Sequence, residues 1–520
     1  MSRNVKRVAV VVALVVSTVV GTSCVVSAIT EGGACKKAGT KTGIPGGTLV
    51  CTRVTSGKNQ GKLVWTRMSS GGGSGSSGSS GSGSSSSGQV SLGGSCSESS
   101  GALKWSQAGS AVVVCKGGKY KYAIPSDFPA TPAGGYKSRP SWYPTITQFL
   151  GGGKTEPTCS SSSVKFTQPV IPLASLTTTI PYGMMTGDHV TPIDHAYLGL
   201  KTLEIPQSQV KESDYVNVTA PGDGTITELS SLGAPSMNRV IIDHGCGVYS
   251  VYMVLNRPTG VLAKYVSEMN AKGGYLRLSV PIKAGEVFGQ QRDNPLDFNV
   301  FDGSQWLSGF AFPASYLTQD TGKPYTADYL PFFSGAIRTA MENSLQRTAS
   351  PRVGKIDHDV IGSASGNWFL DGTFGYGGKA TALYQNATFQ IPGGPVDGKN
   401  GYAWSHLSIS PHQVDVGQWV FSIGWFNDPR GDFPQMILSV PAGKPAPSSL
   451  TASSGAVVYD LHQLSVDYSI PTGSRASGPV GYKLQRGQSK GQVILQVNAD
   501  GSLSVEFGSA FTAAKRTYRR

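Results

Sequence analysis

Charge is scarce in this chain. Asp, Glu, Lys and Arg together make up 14% of its 520 residues, while glycine numbers 68 and proline 31. So little charge beside so much glycine and proline argues against solvated helical bundles and for turn-rich β domains joined by linkers. After residue 28 no apolar run approaches the roughly 20 residues that cross a bilayer. No nucleophile elbow, dinucleotide fingerprint or paired-cysteine zinc knuckle occurs. The glycine-rich runs Gly71–Gly88 and Gly151–Gly153 lack the lysine and following helix of a phosphate loop. No basic helix or aromatic-studded basic strand stands out, which argues against nucleic acid. The formal charge is nevertheless +13, a balance that suits polyanions such as wall polymers, acidic glycans or anionic lipid.

What is present begins with an export signal. Arg3, Lys6 and Arg7 precede an apolar stretch from Val8 to Val20, and Val26-Ser27-Ala28 fits a signal-peptidase site. Residues 1–28 are read as a cleaved signal peptide, giving a secreted or surface-associated protein. Two alternatives stand beside it: an uncleaved membrane anchor, since the run extended to Val26 nears a bilayer's span, and a lipidated Cys24. The second lacks the leucine usual three residues before such a cysteine, where Gly21 stands. Six further cysteines, an even number, point to disulfides in an oxidising compartment.

Residues 29–68 and 89–124 form two similar modules. The first has Gly-Gly-x-Cys at Cys35, an apolar strand ending in Cys51, and a basic hairpin closed by Trp65. The second repeats that order with Cys96, Cys115 and Tyr122. Modules so small need a staple, so Cys35–Cys51 and Cys96–Cys115 are the expected pairs, with Trp65 in the core of its own module. They resemble the small cysteine repeats of secreted actinobacterial proteins. Residues 69–88, nearly all Gly and Ser, read as a flexible linker with a reach of roughly 25 Å, and residues 125–158, rich in Pro and aromatics, as a stiffer one. Ser334–Ser350 reads as a connecting helix, and residues 351–520 return to alternation and turns as an all-β unit. The expected fold class is therefore mostly β and multidomain.

Residues 159–333 carry the most specific pattern. Ala220-Pro221-Gly222-Asp223-Gly224-Thr225-Ile226, then Asp243-His244-Gly245-x-Gly247, then Lys283-Ala284-Gly285-Glu286-Val287-Phe288-Gly289 resemble successive elements of the lysostaphin-type zinc endopeptidases. The resemblance implies their duplicated-hybrid-motif β fold and a history of peptidoglycan cleavage. It also implies where zinc ligands and proton carriers should stand, and there the chain departs. Val254 replaces a strand histidine, Pro295 and Asp297 replace the two histidines of a His-x-His pair, and His189-x-x-x-x-Asp194-His195 is one residue longer than the family spacing. Valine and proline move no protons, so the inherited mechanism fails.

His189 or His195 with Asp194 and Asp297 would suit a remnant zinc or manganese site. The favoured reading is that these groups satisfy one another, with no cofactor. His244 is expected to be structural, and Cys246 to pair with Cys159. Gly366-Asn367-Trp368 resembles the Gly-x-Trp of lipocalins, which implies a barrel and, as an alternative function, small-ligand binding. Trp368 is expected as a core plug. Trp404–Ser408 and Glu506-Phe507 are expected barrel strands.

The leading functional expectation is a secreted, non-catalytic, peptidase-like protein that binds a cell-wall polymer or peptide. It meets a membrane only through an uncleaved anchor. The runner-up is a zinc endopeptidase with a rebuilt metal site. N-terminal sequencing of secreted material is expected to begin near Ile29; Met1 retained in a membrane fraction would establish the anchor instead.

Overall fold

The structure is a computed structural model. It describes residues 90, 93–98, 101–106, 111–151, 154–187, 189–234, 236–317, 320–373, 375–377, 405–424, 435–467 and 483–520, with strands at 41–44, 47–53 and 63–67. The signal segment, the Cys35–Cys51 pair, the Trp65 side chain, the Gly/Ser linker and Trp404 lie outside the described residues.

The chain is mostly β and multidomain, and it divides into two compact units. In the first, β1 (Lys41–Ile44), β2 (Gly47–Arg53) and β3 (Leu63–Arg67) form one sheet, with Cys51 opposite Trp65. In the second unit, β4 (Leu103–Ser106), β5 (Ala111–Lys116) and β6 (Lys119–Tyr122) form a sheet of the same size, and Cys96 is bonded to Cys115.

The core of the second unit is a seven-stranded antiparallel sheet. Its strands are β7 (Leu176–Ile180), β8 (Ala196–Leu200), β10 (Gly224–Ala234), β11 (Met237–Asp243), β12 (Val248–Leu255), β14 (Tyr275–Ile282) and β16 (Leu296–Asp302), in the order β14-β10-β11-β12-β16-β8-β7. A smaller sheet of β9 (Val216–Thr219), β13 (Arg257–Pro258) and β15 (Val287–Gln291) lies beside it. Gly245 and Gly247, both with positive φ, make the tight turn between β11 and β12. Cys246 in that turn is bonded to Cys159.

Strand alternation sorts the large sheet's side chains onto two faces. Val240, Tyr252, Phe298 and Ala196 align across four strands on one face, packed with Val218, Ile282, Phe288 and Tyr329. Ile241, Val251, Tyr249 and Phe301 lie on the other, and they too are buried.

What covers this second face is a departure from the sequence reading. Residues 125–158 are expected as a stiff linker, yet within them Phe128 to Leu150 pack on the sheet. Phe128, Trp142, Tyr143 and Ile146 share one core with Ile241, Tyr249, Val251 and Phe301, joined by Val112 and Val114 of β5. Tyr143 donates to the Thr321 carbonyl (2.9 Å) and the Trp306 indole to that of Tyr136 (3.0 Å), and α1 (Ile146–Leu150) starts on a Thr145–Gln148 capping box. Aromatics between prolines mark a spacer only when nothing apolar is left for them to cover; here a sheet face is.

Two short helices, α2 (Val266–Ala271) and α3 (Gly335–Ser344), complete the layer. The expected helix over 334–350 ends early because Leu345 turns extended and is fully buried, and the Gln346 amide bonds the Thr179 carbonyl (3.0 Å).

Eight antiparallel strands then close a barrel: β17 (Gly366–Leu370), β18 (His406–Pro411), β19 (Trp419–Ile423), β20 (Gln435–Ser439), β21 (Val457–Asp467), β22 (Lys483–Val497), β23 (Leu503–Phe507) and β24 (Arg516–Arg519). Trp368, Leu407, Ile409, Phe421, Met436, Tyr459, Leu495 and Tyr518 are among the side chains of its core. Trp368 donates to the Ala364 carbonyl and lies under the Arg520 guanidinium at 4.0 Å. Arg520 also faces the buried Asp359 carboxylate and bonds the carbonyls of Val360, Ser363 and Ser365. Trp368 is a core plug.

The alternate positions of β17 to β19, Asn367, Phe369, Ser408, Ser410 and Ser422, are buried as well, because the barrel wall meets the sheet layer. Across this seam Asn367 bonds the Tyr316 hydroxyl (2.9 Å), Arg347 donates to the Gln413 carbonyl (2.8 Å), and Gln435 exchanges two bonds with the Gly187 backbone.

His406 and His412 stand at the seam, and burial pushes both down to about 3, with Lys323 adding to the effect at His406 and Arg347 at His412. A histidine held neutral in the folded state stabilises nothing below its unfolded value near 6.5; instead stability falls as pH drops from there towards 3. At pH 5 the pair is expected to cost about 4 kcal/mol relative to pH 7, at about 1.4 kcal/mol per unit and residue. Denaturant unfolding at the two pH values checks this. Replacing both residues (His406→Gln, His412→Asn) should flatten the dependence.

Candidate functional site

Sheet register brings the predicted site residues to one place. Asp297 on β16 pairs with Met253 of β12 on one side and with Tyr197 of β8 on the other, so all three share the second face near its β7 edge. His195 precedes β8 and lies between two carboxylates. Its Nδ1 is 3.1 Å from Asp194 Oδ1 and its Nε2 3.3 Å from Asp297 Oδ2. His189 packs edge-on against His195, with ring centroids 6.2 Å apart. Asn299, two residues along β16, donates to the other Asp194 oxygen (3.4 Å).

Lys323 and Asn299, which sequence reasoning missed, complete the cluster. Lys323, 1% exposed, has its ammonium 3.1 Å from Asp320 and 4.8 Å from the Tyr376 ring. It arrives on a turn of Thr-Gly-Lys-Pro, which no sequence motif marks. Its charge is felt at Asp194, His195 and His189.

The electrostatics follow from burial and pairing. Burial drives Asp297 up to about 7, with the Asp194 charge adding and His195 opposing. Asp194 is equally buried, yet the His195 hydrogen bond and Lys323 hold its carboxyl below the ordinary range. Burial opposes protonation of His195, but Asp297 and Asp194 outweigh it and raise its affinity for the proton. Burial pushes His189 down to about 4, with help from His195 and Lys323 and with Asp194 opposing.

The two nitrogens of an imidazole point in opposite directions, so the two carboxylates that flank His195 cannot both share one ion with that ring. Zinc and manganese need donors that converge on one point. Among the described residues, the one group of three such donors with atoms within 4.8 Å of one another is Cys96, Glu98 and Cys115, whose two sulfurs are spent in a disulfide. His189, Asp194, His195 and Asp297 are neighbours without being a coordination sphere.

The other positions that the sequence resemblance singled out are placed as follows. Val254 has a positive φ of 56° in a bulge of β12, where Met253 and Val254 together face Arg239. Buried Gln291 ties this bulge to the next turn, donating to the carbonyls of Val254 (3.1 Å), Asn294 (2.8 Å) and Pro295 (3.2 Å). His244 is held at both nitrogens, by the Asp223 carbonyl (2.9 Å) and the Ser250 hydroxyl (2.7 Å). The pair has the contact of a base with a nucleophile, but Ser250 is fully buried and bonds on to Tyr252. That chain is structural.

No protein-family model matches the chain, and no curated protein matches it.

Asp297 supplies a sign test. A carboxyl whose folded value is raised from 3.8 to about 7 is most compatible with folding below 3.8 and progressively less so as pH rises through 7. Asp297→Asn is therefore expected to raise unfolding stability at pH 8 by up to about 4 kcal/mol, reduced by the partner His195 loses. The gain should vanish at pH 4, which denaturant titration at the two pH values will show.

Proposed function

We propose that this chain is an exported, non-catalytic protein of a bacterial cell surface, with a central domain of lysostaphin-type ancestry that binds a wall polymer or peptide without cleaving it. The observation that carries this reading is His195. A hydrolytic zinc site needs converging ligands, an open position for water, and groups that move protons. Here the one well-placed imidazole is bound on both sides by carboxylates. Val254 and Pro295 stand where the resembled family keeps histidines.

The second support is the covered face. Residues 103–151 supply Trp142, Tyr143, Ile146 and Val114 to the core on the same sheet face that bears Asp297. An extended substrate would have to displace them. Disulfides accord with an extracellular location. Among the described residues no helix is long and apolar enough to cross a membrane.

Purified protein with added zinc is expected to release no peptides from peptidoglycan and to retain no stoichiometric metal. A lost general acid or base alone removes about 10²- to 10⁴-fold of rate, and several positions are lost together. Asp194→Ala and Asp297→Ala should alter stability and no activity. Release of wall peptides that either substitution abolishes, with the fold intact, would overturn the reading in favour of a rebuilt metal centre.

A further inference from the structure

The net charge of this protein is confined to one part of it. Residues 1–158 hold 17 Lys and Arg against 4 Asp and Glu, whereas residues 159–520 hold 27 of each. The sheet and barrel are therefore electrically balanced, and the whole excess of +13 belongs to the N-terminal part. Past residue 28 the same part keeps 11 lysines and 3 arginines against its 4 acids.

The described second module shows how that charge is displayed. Lys104 and Lys116 are spent locally, on Glu98 and Asp127. Lys119 and Lys121 are not. They are exposed on β6, on either side of buried Tyr120, and the Gly117-Gly118 turn with two positive φ angles puts Lys116 beside Lys119. Lys137 and Arg139 are exposed on the stretch that follows, Arg139 also donating to the Tyr143 and Pro140 carbonyls, and no acidic residue occurs between Asp127 and Glu156. The rigid backing is the aromatic core that docks this stretch on the sheet.

We propose that this module, through Lys119, Lys121, Lys137 and Arg139, binds a linear polymer that carries its negative charge on phosphate groups along the chain. The inference rests on the export reading above and is independent of what the central domain binds. Charge complementarity fixes the sign of the partner. The preponderance of lysine fixes its character. Lysine is a compact, strongly hydrated point charge without the fork that grips a carboxylate in two places, so a lysine surface suits single, spaced, mobile phosphates.

Full-length protein titrated with long-chain inorganic polyphosphate tests the proposal. Binding is expected at about 50 mM KCl and a more than tenfold loss at about 500 mM, on either side of the salt that gives a Debye length of ~10 Å. Lys119→Ala with Lys121→Ala should weaken it about 25-fold, at about fivefold per lysine near an anionic surface. Lys201→Glu with Lys444→Glu, exposed in the balanced part, should change it less than twofold. No binding of polyphosphate, equal weakening by both variant pairs, or capture of phosphatidylglycerol vesicles without polyphosphate would each overturn it. Wall-peptide binding by the same protein is the separate readout: if that persists while polyphosphate fails, only this inference falls.

Discussion

A sheet with apolar side chains on both faces has to be covered twice, and most of this structure follows from that. Strand β12 alternates Val248, Ser250 and Tyr252 on one face with Tyr249, Val251 and Met253 on the other. The first set is covered in the ordinary way, by the small sheet and the turns around Tyr329 and Phe333. For the second set the cover comes from the N-terminal side of the chain, by way of the Phe128–Ile146 stretch and β5. A protein that used this face as a substrate groove would have to keep it open and wet. Tyr249, Val251 and Phe301 make an open face costly, at about 25 cal/mol for each Å² of apolar surface left in water. Covering the face and working on a substrate there are competing uses, and the residues favour cover.

The polar end of the same face shows how buried charge is accommodated. Buried carboxylates are tolerated only when paired or protonated. Asp194 is paired, by His195 and the nearby Lys323; Asp297 is partnered less well and leans towards the protonated form. Lys323, 1% exposed, supplies a buried cation to this end of the sheet: it pairs with Asp320, and its charge also reaches Asp194. Val254 tells the same story in the backbone. Its positive φ is a conformation that a β-branched residue adopts only under constraint. The constraint is visible as Gln291, which binds the bulge and the Pro295 turn to each other.

Much of this was legible in the sequence, for local reasons. The two glycines flanking Cys246 and the Cys96–Cys115 pair are set by short-range spacing and turn chemistry, and those readings survive; the Cys159–Cys246 pair, 87 residues apart in sequence, is present as well. The barrel was legible from Trp368 and the alternation that follows it. What failed was anything that depends on where a segment docks. Phe128, Trp142 and Tyr143 look the same in a spacer as in a core, because composition carries no information about the face they meet. The site was half legible: His189, Asp194, His195 and Asp297 do lie together. Their geometry was not, since which nitrogen faces which carboxylate depends on strand register, and Lys323 and Asn299 carry no motif at all.

The seam between sheet and barrel extends the argument from burial to surface chemistry. Ser408, Ser410 and Ser422 point out of the barrel at positions where a free-standing barrel would carry large polar side chains, and their size lets the two layers approach closely. Ser408 and Ser410 bond each other at 2.8 Å, so the hydroxyls are satisfied within the wall. Together the two layers of residues 159–520 present no net charge, so long-range attraction to a charged surface cannot come from them. It must come from whatever carries the excess, and one piece of that, within residues 103–150, is docked by its aromatic side chains with Lys119, Lys121 and Lys137 exposed. The same stretch thus closes the sheet's second face with one set of residues and leaves the other set free for a partner. A binding role and a closed groove are two consequences of one alternation of side chains.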